Sequence, residues 1–369
     1  MAQTYQFVVG PDEARLRIDR YLLGHLPHGF SRTVIQRAIR EGAITIAGHA
    51  LKAHRRLRAG ETVVAHVAGP GTDPDPRTVV PEPMALAVVY EDAHVLVVNK
   101  PPHLVTHPAP GHPSGTLVNA IAWHLQKGKG SRVRGEGALH PPPSTLHQAL
   151  PRAGIVHRLD QDTSGLLVVA KTPLALRELA KQLKARTMSR RYLALVEGHV
   201  PLDEGTINVG VGRHLTHRKE MAIRYLGGRE AITHYRVLKR FRGEGSRVQG
   251  EGALHPPPST LHPLPFPYTL LELRLETGRT HQIRVHLAHL GYPVLGDALY
   301  SRAPASASKG HGVARQLLHA YAVRFLHPAT HHPLELSIEP PVDMQHWLDG
   351  FDVRAALAVK FILTKQANV

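Results

Sequence analysis

The sequence predicts an α+β protein built from two domains, and three observations carry this. The chain has 369 residues, enough for more than one core. A stretch at 68–83, AGPGTDPDPRTVVPEP, is too rich in proline, glycine and aspartate for regular structure and reads as a linker. After it, short apolar runs separated by turn residues continue to about residue 340, the pattern of one large mixed domain of strands and helices.

The first domain spans residues 1–67. Leu16, Ile18, Tyr21 and Leu22 have helical spacing. Ser31 can cap a second helix that runs through Val34, Ile35, Ala38 and Ile39 and stops before Gly42. Ala43–Ile46 and Thr62–Val67 read as short strands. Between Arg15 and Arg58 there are ten lysines or arginines against two acids, Asp19 and Glu41. Arg32, Arg37, Arg40, Lys52, Arg55 and Arg56 are the candidate contacts on this frame for an anionic partner. The net charge of +16 points to a polyanionic partner, most often nucleic acid. A uniformly arginine-rich composition would give the same total, but not this clustering.

The second domain covers 84–349, with a C-terminal tail at 350–369. It opens with the strand-and-turn pattern AVVYEDAHVLVVNKPPHLVTHP. Two near-identical segments interrupt it. SRVRGEGALHPPPSTLH at 131–147 recurs as SRVQGEGALHPPPSTLH at 246–262, differing only at Arg134 and Gln249. Their three consecutive prolines exclude helix and strand, so 130–147 and 245–262 read as low-complexity insertions in surface loops. Asp343–Val369 has room for one or two short helices and shows no chemistry of its own.

There is no cysteine, which excludes disulfides, thiolate catalysis and cysteine-based zinc sites. The opening MAQTYQFVVGPDEARLR lacks the basic-then-apolar order of a secretory leader. No apolar run reaches the ~18–20 residues that a bilayer span needs. A soluble cytoplasmic protein is expected, with no membrane partner.

The most informative stretch is Gly154–Thr172, GIVHRLDQDTSGLLVVAKT. Its apolar runs Gly154–Val156 and Leu166–Ala170 read as buried strands that hold a polar loop between them. Loops on rigid strands often carry catalytic residues. Asp160 and Asp162, two apart, fit a metal site or turn capping as well as nucleophilic catalysis. Histidine is abundant, at 28 residues. His281, His286 and His289 lack the i, i+4 pairing of a zinc-protease helix, so they and the cluster His327, His331 and His332 read as structural. No metal site is expected.

HRLDQDTSGLLVVAKT resembles the signature of the RluA-like family of pseudouridine synthases. VVNKPPHLVTHP at 97–108, RRYLALVEGHV at 190–200, the run from Leu273 to Tyr300 that includes TGRTHQ, and QLLHAYAVRFLHP at 316–328 are similar to further family segments, in the same order. The segments RLRIDRYL, SRTVIQRAIREGAITIAG and LRAGETVVAHV resemble an S4 domain, a small RNA-binding fold. With THYRV at 233–237, this start looks most like the subtype that acts on large-subunit ribosomal RNA. The resemblance implies an S4-like domain followed by a catalytic domain with a mixed, largely antiparallel sheet flanked by helices.

The resemblance also implies site roles. Asp160 is the nucleophile, Arg279 its charge partner and Tyr192 the active-site aromatic that stacks on the uracil. Arg158 is the wedge that fills the space left by a flipped base, although a phosphate contact or a structural ion pair would also suit it. His157 is a substrate-side loop residue, placed to orient the loop. Thr163 and Ser164 hydrogen-bond the loop backbone, and Asp162 shapes the loop.

The chemistry agrees. Converting uridine to pseudouridine breaks the bond from N1 to the ribose and remakes it at C5. Nothing is oxidised, so no cofactor is expected. The target base must leave its stack to be reached. An aspartate nucleophile must be ionised in a site that excludes water, and a neighbouring guanidinium favours that form. The expected partner is structured RNA, 23S ribosomal RNA or a pre-ribosomal particle, bound by a monomer. Transfer RNA is the other substrate class. A non-catalytic RNA-binding protein and a metal-dependent hydrolase using Asp160 and Asp162 are the rivals from other classes.

Overall fold

The computed structural model describes residues 2–27, 30, 32–68, 79–108, 112, 114–127, 150–217, 220–242, 266–301, 313–348 and 350–358. Ser31, both repeated insertions, most of the 68–83 linker and the end of the tail lie outside the described residues. The chain divides into two compact units, Met1–Val79 and Val80–Val369.

In the first unit, β1 (Ala2–Val8), α1 (Ile18–His25), α2 (Arg32–Arg40), β2 (Ile44–Ile46), β3 (His49–Ala50) and β4 (Thr62–Ala68) follow in order. The strands form an antiparallel sheet in the order β1-β4-β2-β3. The helices turn Ile18, Tyr21, Leu22, Ile35 and Ile39 onto Ile44, Val63 and Ala65. The apolar period of 3.6 in the helices and 2 in the strands predicts this burial. β1 was not expected, because its sequence AQTYQFV shows no regular apolar alternation. It is held by full backbone pairing to β4.

The second unit contains β5 (Ala87–Glu91), β6 (Val95–Lys100), α3 (Leu117–Lys127), β7 (Ser164–Ala170), α4 (Pro173–Lys184) and β8 (Ser189–Glu197). β9 (Glu204–Asn208), β10 (Val211–Arg213), β11 (Met221–Ile223), β12 (Ile232–Phe241) and β13 (Tyr268–Leu275) follow. The last elements are α5 (Gln282–His289), β14 (Leu318–Leu326), β15 (Pro333–Ser337), α6 (Val342–Gln345) and α7 (Val353–Leu357). Among the described residues one large sheet runs β5-β6-β7-β14-β8-β13-β12-β9, with β15 on β14. Only the β7–β14 pairing is parallel. This is the mixed, largely antiparallel sheet of the expected α+β class.

β6 and β7 are inner strands, and every residue of β7 is buried. Strands covered on both faces read as continuous apolar runs, which explains VLVV and LLVVA. α4 covers one face, setting Ala175 and Leu179 against Leu166 and Val168. Its first turn is capped by Thr172, whose hydroxyl accepts from the Ala175 N–H at 3.1 Å.

Two expectations are corrected here. Gly154–Val156 is not a strand. It ends a 3-10 turn, Pro151–Gly154, and makes one isolated bridge, Ile155 to Val169. Positive φ at Arg152, Ala153 and Gly154 forbids extended pairing. Gly154 is required there, since a Cβ would lie 1.9 Å from the Ala170 carbonyl oxygen. The tail is also not separate up to residue 358. Met344, Trp347, Leu348, Val353 and Leu357 join the core formed by Leu193, Leu195 and Tyr268. At the other end, the linker's last residues are anchored: Asn119 Nδ2 donates to the Val80 carbonyl at 2.7 Å. No helix among the described residues is long and apolar enough to cross a membrane.

Candidate active site

The loop that feeds β7 is pinned almost residue by residue. The Thr106 hydroxyl donates to the Leu159 carbonyl at 2.7 Å. Lys100 Nζ donates to the Gln161 carbonyl at 2.8 Å, and also to those of Pro101 and Leu104. Arg315 Nη1 donates to the Asp162 carbonyl at 3.0 Å. Thr163 accepts from Gln316 Nε2, and Ser164 shares a hydrogen bond with His319 Nδ1 at 2.9 Å. These two hydroxyls thus meet side chains, not the loop backbone as expected. At the loop's exit Gly165 has φ +117°, and a Cβ there would lie 2.3 Å from the Ala320 carbonyl oxygen. Only glycine allows β7 to approach β14 so closely.

Lys100 has no exposed surface. Burial pulls its pKa down to about 7, and Asp162 and Asp160 oppose that fall. Its three carbonyl partners match the three N–H groups of the ammonium form. Lys100→Met leaves three acceptors without their donor, at about 1–3 kcal/mol for each one left unsatisfied. Urea unfolding is expected to show a destabilisation of about 3 kcal/mol or more. The released loop is expected to slow turnover on the order of 10²-fold.

Arg315 is itself buried and held by a two-pronged pair with Asp343, at 2.6 and 2.8 Å. The C-terminal segment therefore supports the loop through this arginine, a role not read from the sequence. Asp162 turns to His103 at 2.9 Å, in keeping with a loop-shaping role.

Asp160 projects from the centre of this loop with its side chain 15 % exposed. Its Oδ2 accepts from Arg284 Nη1 at 3.1 Å. Arg284 simultaneously grips the fully buried Asp297 through Nε (2.6 Å) and Nη2 (2.8 Å). Burial opposes the arginine's charge, but the two carboxylates raise its pKa. This corrects the expectation for Arg279. Its Nε donates to the Glu230 carbonyl at 2.9 Å, because it lies in the turn before α5. Arg284 lies within α5, whose residues Gln282–Leu287 are all buried. A signal for it was present: an arginine between Ile283 and Val285 at a buried position must have a carboxylate partner.

Tyr192 lies on β8, opposite Leu273 of β13, and is 5 % exposed. Burial raises its pKa and the charge of Asp160 adds to that rise, so the phenol lies within the carboxylate's field. Arg158 is exposed, and its charge adds to the effect of partial burial in lowering the pKa values of the half-buried His107 and His281. His157 differs from expectation. It is turned inward, its Nε2 accepting from the Val168 N–H at 3.0 Å. Burial takes its pKa down to about 3. A neutral imidazole bonded to β7 anchors the loop and does not reach a ligand.

The basic residues of the first unit divide into two groups. Arg32 binds the buried Asp19 at 2.9 Å, beside Arg17 and Gln36. Arg55 pairs with Glu61 at 2.7 Å. Arg40 and Arg56 are exposed and bond only backbone carbonyls, Gln36 and Arg15 respectively. Arg37 lies 3.8 Å from Glu41, and Lys52 is exposed. His49, Lys52, His54 and Arg55 line a shared groove.

Among the described residues one trio, His214, His217 and Glu220, gathers three possible metal-ligand atoms. Its His214 Nδ1 already accepts from the N–H groups of Thr216 and His217, closing the turn between β10 and β11. Neither Asp160 nor Asp162 belongs to it.

Residues 94–289 match the family model described as RNA pseudouridylate synthase. The chain is 38% identical over 364 residues to "Ribosomal large subunit pseudouridine synthase D" of Xanthomonas campestris, covering 96% of this chain and 95% of that protein. It is 40% identical over 350 residues to "Uncharacterized RNA pseudouridine synthase" of Chloroflexus aurantiacus, covering 95% and 94%. The solved structure of "Human RNA Pseudouridylate Synthase Domain Containing 1" aligns with a TM-score of 0.48 at 26% identity, over 70% of this chain and 86% of that one.

Proposed function

As this chain belongs to the RNA pseudouridylate synthase family, we propose that Asp160 is its nucleophile and that its target uridines lie in large-subunit ribosomal RNA. The observation that carries the first part is the Asp160–Arg284–Asp297 arrangement. A carboxylate placed in a loop braced at Leu159, Gln161 and Asp162 is held at one oxygen by a buried guanidinium. That guanidinium is itself fixed by a second, buried carboxylate. Such bracing fixes the attacking group before substrate arrives, which is how positioning lowers a barrier.

Each neighbouring side chain has a distinct task in this reading. Arg158, exposed beside the nucleophile, fills the stack when the uridine flips out. Tyr192 offers its ring to the extruded base. Arg284 holds Asp160 and supplies positive charge next to the reacting atoms. The first unit grips RNA through Arg40, Lys52 and Arg56, which are exposed. Binding should therefore weaken steeply with salt. The protein works as a monomer in the cytoplasm.

The choice of large-subunit RNA rests on the likeness to ribosomal large subunit pseudouridine synthase D and on the basic first unit. It is tested with RNAs labelled with tritium at uridine C5, since pseudouridine formation releases that hydrogen. Purified protein is expected to release tritium from large-subunit ribosomal transcripts and at least about tenfold more slowly from transfer RNA transcripts. Faster release from transfer RNA would reverse the assignment.

A further inference from the structure

His281 adopts φ 55° immediately before α5, and this left-handed turn points its ring at the nucleophile. Its Nε2 lies 4.0 Å from Asp160 Oδ1, the oxygen that Arg284 does not hold. Its Nδ1 lies 2.8 Å from the Tyr300 hydroxyl. That hydroxyl also accepts the Met221 N–H at 2.9 Å, and the Tyr300 ring lies against the Arg284 guanidinium, 5.0 Å away.

These contacts favour a ring proton on Nε2. Met221 N–H can only donate, so the phenol receives at that contact. Among the described residues, the acceptor left for its own O–H is His281 Nδ1. Burial lowers the pKa of His281 despite the pull of Asp160, and a neutral ring whose Nδ1 accepts from the phenol carries its single proton on Nε2. At 4.0 Å that N–H is too far from Asp160 for a hydrogen bond. It is a donor without a partner among the described residues, aimed at the space beside the attacking oxygen. The side chain keeps 16 % of its surface accessible, so this N–H is open to a ligand beside the attacking oxygen.

We propose that His281 is a further catalytic residue, whose Nε2–H donates to a carbonyl oxygen of the flipped uracil. The proposal rests on the reading of Asp160 as nucleophile. Whichever carbon Asp160 attacks, the electron pair of the C1′–N1 bond departs with the uracil and spreads onto its carbonyl oxygens. The ring then turns, C5 bonds to C1′, the bond between Asp160 and the attacked carbon breaks and returns the carboxylate, the C5 proton leaves and N1 gains one, so the product is an isomer of the substrate. A neutral imidazole stabilises the intervening charge without handing over a proton. An imidazolium would instead protonate the detached uracil and hinder its return to the ribose. Tyr300 is the positioning residue: by donating to Nδ1 it keeps the ring's proton on Nε2.

The test uses the full chain and C5-tritiated RNA, with single-turnover rate and RNA Kd measured separately for His281→Ala, His281→Gln, Tyr300→Phe and Asp160→Asn. His281→Ala is expected to slow release about 100-fold, with Kd within about threefold. His281→Gln, which restores an N–H donor, is expected to recover to within about tenfold of wild type. In nitrogen-15 spectra, His281 of the wild type should show the Nε2–H tautomer, and Tyr300→Phe should mix the two tautomers. A wild-type rate in His281→Ala, or an Nδ1–H tautomer in the unaltered protein, overturns the proposal. If Asp160→Asn is inactive while His281→Ala is not slowed, only the histidine assignment falls. If Asp160→Asn is itself active, the nucleophile reading falls and takes this one with it.

Discussion

Asp160→Asn is expected to abolish C5-tritium release, lowering the single-turnover rate by about 10⁴-fold or more, the scale seen when a nucleophile is removed. The amide is close to isosteric with the carboxylate but cannot attack. Stability should barely change. Asp160 is partly exposed and contributes one of the contacts of Arg284, which keeps both bonds to Asp297. The braces on Leu159, Gln161 and Asp162 act through backbone carbonyls, so the loop survives. Thermal unfolding within about 1 kcal/mol of wild type, together with unchanged RNA binding, would isolate the loss to chemistry. Substantial residual release by a folded Asp160→Asn would remove the nucleophile from the account.

Arg284→Met has the second large effect, and it combines stability with rate. Asp297 has no exposed side-chain surface. Removing its partner strands a buried carboxylate, at about 3–5 kcal/mol. Asp297 also accepts the N–H groups of Leu299 and Tyr300, so the turn after α5 loosens with it. The rate is expected to fall on the order of 10²–10³-fold through loss of the charge beside Asp160. Pairing the change with Asp297→Asn separates the two effects: stability should largely return, while activity should not. Arg279→Gln is the contrast. Its side chain reaches a backbone carbonyl near the surface, so stability should stay within about 1 kcal/mol and the rate within about tenfold. Chemical denaturation and single-turnover assays of the four proteins decide between the arginines. A larger rate loss from Arg279→Gln than from Arg284→Met would reinstate Arg279 as the partner.

The arginines also show what the sequence could disclose. TGRTHQIR contains both, and the resemblance located the segment correctly. Which of them faces the carboxylate depends on where α5 starts and which side it buries, and that is set by packing against the sheet. The buried neighbours Ile283 and Val285 were the available clue. Long local patterns were readable: the apolar runs of β6 and β7, the helical spacing of α1 and α2, and the linear run around Asp160. Contacts between residues far apart in the chain were not. Asp343 supports Arg315, which holds the Asp162 carbonyl, and no spacing rule connects these positions. Gly154–Val156 failed for a local reason. Its apolar character fits a strand, but Gly154 closes a turn with positive φ at Arg152, Ala153 and Gly154, which leaves one isolated bridge at Ile155. His157 lies three residues before Asp160 in sequence, yet its ring is committed to the Val168 N–H on the strand behind.

The most direct test of the central claim is made on cellular RNA. Pseudouridines are mapped in cells lacking the protein and complemented with either the wild-type chain or Asp160→Asn at equal abundance. The account predicts sites in large-subunit ribosomal RNA that appear with the wild type and are absent with Asp160→Asn. The same sites modified in both would contradict it.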